Sequence, residues 1–263
     1  MNKAFTTDLK SRARAVLLGK WAFLAGAVLL GFLLQTILYE LVGAAFPFTR
    51  FGVTADGSIV LFGFGIAANG AVTFSIPGII CRIITELFVT ILSTGSMFLY
   101  LNICRGKNFQ LSDIFYGFSH RPEHIAGYFA VMAMITVVFS IIPSILLAML
   151  IFSGNAFWVI GLVILLLACL AGYLRFTLGY AMFPFLYADA PWKTSRELLR
   201  ESVRLMDGYR LRYFRLQLSF IGIALLGVLS FGIGTIWIQP YIITTNTQFY
   251  LSRISDEDAH GSV

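Results

Sequence analysis

Five separate stretches of this chain are apolar over the length of a bilayer crossing: Trp21 to Phe46, Ile79 to Cys104, Ile125 to Phe152, Phe157 to Tyr187 and Leu211 to Phe231. A hydrocarbon core about 30 Å thick needs roughly 20 apolar helical residues to cross it, and each stretch supplies them. Composition removes the alternative of a soluble core. With 58% hydrophobic and 12% charged residues and a mean hydropathy of +0.83, too little polar surface remains to cover a water-soluble globule of 263 residues. The expected fold is all-α, a polytopic transmembrane helical bundle. It forms one integral membrane domain over 1–263, with an N-terminal basic segment at 1–20 and an acidic tail at 254–263.

Positive charge is held on the cytoplasmic side of a plasma membrane, so the basic residues flanking each span orient the chain. Lys3, Lys10, Arg12, Arg14 and Lys20 precede the first span, and Arg105, Lys107 and Arg121 separate the second from the third. Lys193, Arg196, Arg200, Arg204, Arg210, Arg212 and Arg215 follow the fourth. These three places are expected inside. The Pro47 to Ser75 connection carries only Arg50, and Ser153 to Ala156 carries no Lys or Arg, so both are expected outside. The apolar run after Lys20 exceeds the usual 7 to 15 residues of a signal peptide and lacks a clear cleavage site, so the first helix reads as an anchor.

Gly232-Ile233-Gly234 interrupts the last apolar run, and Thr235 to Leu251 carries Gln239, Pro240, Asn246 and Gln248. That segment either crosses back or lies flat. Six spans bring Arg253 to the cytoplasmic surface with both termini inside, whereas five strand it outside beside Asp256, Glu257 and Asp258. Six is the preferred reading. The Pro47 to Ser75 connection is apolar for an exterior segment and is expected to dip into the outer interface. Its G-x-G-x-x-A letters, Gly63 to Ala68, lack the strand and helix context of a dinucleotide site and read as flexible loop.

Few residues suggest chemistry. Arg82 and Glu86 are spaced i, i+4 on the second span, where a guanidinium and a carboxylate neutralise each other. A pair at that depth either locks helix packing or marks a substrate, ion or proton site. Glu40 and Gln35 on the first span are candidate partners for Arg82, Glu40 being the better placed. Arg175, late in the fourth span, is expected to reach the inner headgroups. His120-Arg121-Pro122-Glu123-His124 matches the letters of inverted zinc peptidases, but Pro122 belongs in a first helical turn, which puts His120 off the helix face. No catalytic grouping, metal site or cofactor is expected. Cys81, Cys104 and Cys169 read as small core residues.

Thr194-Ser195-Arg196-Glu197 gives a capping box and Gly208 a helix stop, which brackets a short amphipathic helix. Leu198, Leu199, Val203 and Met206 form its apolar face, and Arg196, Arg200 and Arg204 recur every four residues as a basic stripe. Such a helix lies along the inner interface with its arginines toward anionic headgroups, or is a solvated face paired internally through Glu197 and Glu201. The charge of +6 is accounted for by topology and requires no nucleic acid. Small residues four apart, Ala22 and Gly26, Ala27 and Gly31, Ala168 and Gly172, would let helices approach closely. Pro143, Pro184 and Pro240 interrupt spans or their ends.

The runs Ser202 to Gly208, Phe214 to Gly222 and Gly232 to Gly234, with Trp237, Pro240-Tyr241 and Phe249-Tyr250, resemble the DUF975 family of uncharacterised bacterial integral membrane proteins. Upstream, Leu9-Lys10, Ala13, Gly19 to Trp21 and Asp113 to Phe118 resemble the start and first inner loop of that family, although Ile223 stands where a tryptophan is expected. The resemblance implies a multi-pass bacterial plasma-membrane protein and supplies no activity or catalytic residue. The leading expectation is a non-enzymatic protein acting through lipid or membrane-protein contacts. A transporter of lipid or small solutes using Arg82 and Glu86 is the alternative, and a metallohydrolase comes third.

Overall fold

A computed structural model describes residues 2–45, 52–53, 59–61, 64–66, 72–74, 76–153 and 157–261. The basic N-terminal segment forms a helix, α1 (Asn2–Leu17). Leu9, Ala13 and Leu17, four residues apart, are its buried face, while Arg12 and Arg14 are exposed. Gly19, at φ 76, turns the chain into α2 (Trp21–Ala45). The connection that follows α2 holds, among its described residues, four short antiparallel strands, β1 (Gly52–Val53), β2 (Ile59–Leu61), β3 (Phe64–Ile66) and β4 (Val72–Phe74), paired in sequence order. Ile59 faces Ile66, and Phe64 faces both Leu61 and Phe74. Part of the segment read as flexible loop is therefore strand, and Gly63, Ala67 and Ala68 lie outside the described residues.

Next come α3 (Ile76–Cys104), a 3-10 turn at Leu111–Phe115, α4 (Tyr116–Ser119), α5 (Pro122–Ser153) and α6 (Phe157–Gly179). The fourth apolar stretch is not one helix, because the chain turns after Gly179 and restarts at α7 (Phe183–Asp189) with Pro184 in its first turn, where its missing N–H leaves no partner wanting. Beyond it lie α8 (Ser195–Leu205), α9 (Arg210–Leu218), α10 (Ile221–Leu229) and α11 (Thr235–Gly261). Pro240 is accommodated inside α11.

Among the described residues five helical stretches are long and apolar enough to cross a membrane: Trp21–Ala45, Ile76–Cys104, Pro122–Phe139, Val163–Asp189 and Arg210–Leu229. The chain is a multi-pass membrane protein with a helical-bundle fold. The polar α11 falls outside those five, yet it folds back antiparallel along α9 and α10. Gly227 approaches Ile238, Phe220 packs on Tyr241, Gln217 donates to Asn246 at 2.9 Å, and Tyr213 meets Phe249. The end of α11 thus returns to the pole that holds α1, where Phe5 packs edge-on against Phe249 and Lys10 donates to the Ser219 carbonyl at 3.1 Å. This return is what the six-crossing reading requires of the chain path.

Close helix contact occurs at glycines other than most of those nominated by the sequence. A Cβ on Gly95 of α3 would lie 2.6 Å from the Gly117 nitrogen and 2.8 Å from the Ile114 oxygen, and one on Gly117 would lie 2.6 Å from the Ile91 oxygen. The segment Leu111–Ser119 therefore rests directly on the α3 backbone. Gly172 lies against the Phe139 ring, as small-residue spacing predicts. A Cβ on Gly26 or Gly31 would meet nothing within 4 Å among the described residues, so neither glycine is a point of close contact there, although Ala27, the partner of Gly31 in the spacing, is buried against α3.

Candidate functional site

The connections read as cytoplasmic from charge alone converge on one end of the bundle. Arg105, just past α3, forms a bidentate pair with Asp189 at the end of α7, through Oδ1 and through Oδ2 at 2.7 Å, and Tyr250 of α11 donates to Oδ2 at 3.0 Å. The Asp189 hydrogen bonds hold the Arg105 guanidinium above its usual pKa, so it stays charged at every physiological pH. Tyr187 donates to the His120 carbonyl and Tyr116 stacks on His120. Arg253 lies over the Tyr209 ring at 3.4 Å and pairs with Asp256 at 2.7 Å. Pairwise ties thus join α1 to α9 and α11, the Arg105 segment to α7 and α11, and α11 to α8 and α9.

On this pole α8 is built as the sequence predicts. Thr194 accepts from the Glu197 N–H while the Glu197 carboxylate accepts from the Thr194 N–H, and Gly208 follows the helix at φ 70. Those bonds to Thr194 hold the Glu197 carboxyl below its usual range. Leu198, Leu205 and Met206 are buried in the protein core with Leu199 packed against them, and Ser202 donates to the Gly179 carbonyl at 2.9 Å. The apolar face is therefore taken up by the bundle, whereas Arg196, Arg200 and Arg204 are exposed. Of the two glutamates considered as internal partners, Glu201 binds Lys193 at 2.6 Å.

The histidines of the H-x-x-E-H letters are held apart. Arg121 adopts a positive φ of 50 and α5 starts at Pro122, which leaves His120 outside the helix, 3.1 Å from Ser119 Oγ, while His124 Nδ1 lies 3.3 Å from Ser195 Oγ of α8. Among the described residues no group of three or more His, Cys, Asp or Glu side chains is placed to hold a metal ion. Cys81, Cys104 and Cys169 are free thiols.

A second polar cluster sits between α2 and α3. The Arg82 guanidinium meets Glu86 at 2.5 Å and lies 4.6 Å over the Tyr39 ring. The Tyr39 hydroxyl donates to Glu86 and accepts from Gln35. Of the partners nominated on α2, Gln35 therefore acts through Tyr39, a residue the sequence reading missed because it looked for charge and not for a ring face. Glu40 is exposed on the same helix. Arg175 is exposed one turn before Gly179, the level at which α8 docks, which puts it beside the basic pole.

A family model described as Protein of unknown function (DUF975) matches residues 1–257, from α1 to the last turns of α11. The chain belongs to DUF975. No curated protein and no solved structure matches it. In this DUF975 chain the matched region takes in both the basic pole and the Arg82 cluster.

Proposed function

We propose that this chain is a non-enzymatic protein of the bacterial plasma membrane that works through contact with anionic lipid at its basic pole. The supporting observation is α8, whose apolar face is already buried in the bundle and whose Arg196, Arg200 and Arg204 project from the pole. With the hydrophobic side occupied, the stripe is the face of α8 turned toward the surroundings. Arginines beside an anionic leaflet contribute about 1 kcal/mol each.

Replacing Arg196, Arg200 and Arg204 together by glutamine should therefore weaken association with an anionic headgroup by up to roughly a hundredfold at low salt, and by less as screening sets in. Spin-labelled phosphatidylglycerol and phosphatidylcholine, competing for the protein in vesicles, report that preference directly. An unchanged preference in the triple variant would sink the headgroup role. The whole protein is needed, since an isolated α8 peptide would expose the apolar face that the bundle covers.

The proposed orientation places the N-terminus, the Arg105 to Glu123 loop, the Ala188 to Arg210 segment and the C-terminus in the cytoplasm. In a cysteine-free background, a membrane-impermeant maleimide added to intact cells should label Asp56→Cys but not Asn108→Cys, Trp192→Cys or Ser255→Cys. External labelling at 192 overturns the assignment, and labelling at 255 alone reverses the fate of α11.

Transport is the second reading. Its supporting observation is the hydrogen-bonded line Glu86, Tyr39, Gln35, which runs from the ion pair into the wall of a lipid-depth cavity.

A further inference from the structure

Between α2, α3 and the α10/α11 turn lies a cavity of about 760 Å³, within the roughly 300–1,000 Å³ range of small-molecule sites. Among the described residues its walls carry no charge. Along α3 it extends from Tyr100 to Val89, which at 1.5 Å per residue is about 16 Å, close to half of a hydrocarbon core about 30 Å thick. That is the depth of one leaflet. One end, at Tyr100, lies about one and a half helical turns from Arg105, so it sits toward the basic pole. The other is closed by Phe231 and Gly232, the tip of a turn that is 97% exposed at Phe231 and whose backbone bonds internally, Gly232 N–H to the Gly227 carbonyl at 3.1 Å and Gly234 N–H to Ser230 Oγ at 2.8 Å. No Lys, Arg, Asp or Glu occurs between Arg215 and Arg253, so this hairpin is made for hydrocarbon and the cavity beneath it opens onto lipid.

Two features show that the space is not ordinary loose packing. Gly31 of α2 lines it with nothing among the described residues within 4 Å of its Cβ direction, so a larger residue would fit there without moving a neighbour. Tyr100, in the wall at the pole end, is 2% exposed, and its hydroxyl has no hydrogen-bond partner among the described residues. A buried hydroxyl left unpaired is costly, whereas one that meets an acceptor is not.

We propose that this cavity binds one acyl chain of a bilayer phospholipid, with the ester carbonyl accepting a hydrogen bond from Tyr100 and the chain lying along α3 toward Phe231. The carbonyl of an acyl ester sits at the boundary of headgroup and hydrocarbon, which is where Tyr100 lies, and the chain below it has the length of the cavity. The site recognises the ester and the chain, not the headgroup, so it is independent of the α8 stripe.

The test is lipid retention followed by native mass spectrometry of the full protein taken from vesicles into detergent. Dipalmitoyl phosphatidylglycerol is the probe, with dipalmitoyl phosphatidylcholine and the ether-linked dihexadecyl phosphatidylglycerol as comparisons. Wild type should hold one ester lipid with either headgroup. Gly31→Leu and Ser96→Phe, which fill the cavity, should hold none at the same lipid concentration without lowering the unfolding temperature in lipid-free detergent. Tyr100→Phe should need several-fold more ester lipid, and wild type should hold the ether lipid as weakly as Tyr100→Phe holds the ester. The triple glutamine variant of α8 should retain the lipid; its loss in that variant would assign the bound lipid to the α8 stripe and overturn the cavity. Full retention by both filled variants overturns the proposal, as does equal retention of ester and ether lipid by wild type.

Discussion

Gly95→Ala and Gly117→Ala each lower the unfolding temperature of the purified protein, while Gly31→Ala raises it. Helix propensity alone favours alanine over glycine by about 0.5–1 kcal/mol, so without tertiary contacts all three substitutions would stabilise. At Gly95 the new methyl would stand 2.6 Å from the Gly117 nitrogen, and at Gly117 it would stand 2.6 Å from the Ile91 oxygen. Overpacking costs about 1–3 kcal/mol where side chains can shift, and the upper end applies when the obstacle is backbone. The clash therefore outweighs propensity at Gly95 and Gly117. At Gly31 no atom of the described residues lies within 4 Å and propensity decides. Fluorescence-monitored unfolding of the three variants in one detergent measures the signs. A stabilised Gly117→Ala would mean that Leu111–Ser119 is not seated on α3.

That contrast marks the limit of what the sequence discloses. Apolar length and basic flanks are local properties, so the five long stretches and their ends were legible, and the alternation of charge correctly grouped the segments that meet at one pole. The α8 cap was legible too, because Thr194, Glu197 and Gly208 act within a few residues of one another. Close approach is a property of two chains of backbone. Ala27 and Gly31 carry the same small-residue spacing as Ala168 and Gly172, yet among the described residues only Gly172 of the two glycines has a neighbour within 4 Å of its Cβ direction, and nothing near Gly95 or Gly117 in the sequence says which helix will lie across them. The α1 helix was legible in principle, since Leu9, Ala13 and Leu17 repeat at four residues, although the charged residues between them dilute that apolar face. The break between α6 and α7 was hidden because Pro184 begins a helix as readily as it interrupts one.

The Arg82 and Glu86 pair yields the other large effect. Arg82→Leu and Glu86→Leu, made singly, should each destabilise the protein, because each breaks the guanidinium–carboxylate contact at 2.5 Å; a charge at the centre of a membrane helix costs about 2.5–3.5 kcal/mol on insertion scales, and less toward the helix end where this pair lies. Tyr39 offsets part of that for Glu86→Leu, since its ring face still meets the guanidinium at 4.6 Å, so Arg82→Leu should be the worse of the two. Replacing both together removes the ion pair without stranding either member, and such replacements are often neutral or stabilising. The double variant should therefore recover the stability lost by the singles. Packing and transport differ in the activity of that double variant. A pair that only fastens α3 to α2 leaves a double variant that is stable and complements the phenotype of a deletion strain. A pair that binds a solute or relays a proton leaves one that is stable and inactive. The expected result is full complementation, because Glu86, Tyr39 and Gln35 already satisfy one another and the guanidinium is matched by a carboxylate and a ring. A stable double variant that fails to complement would overturn the packing role and move the function of the protein to this cluster.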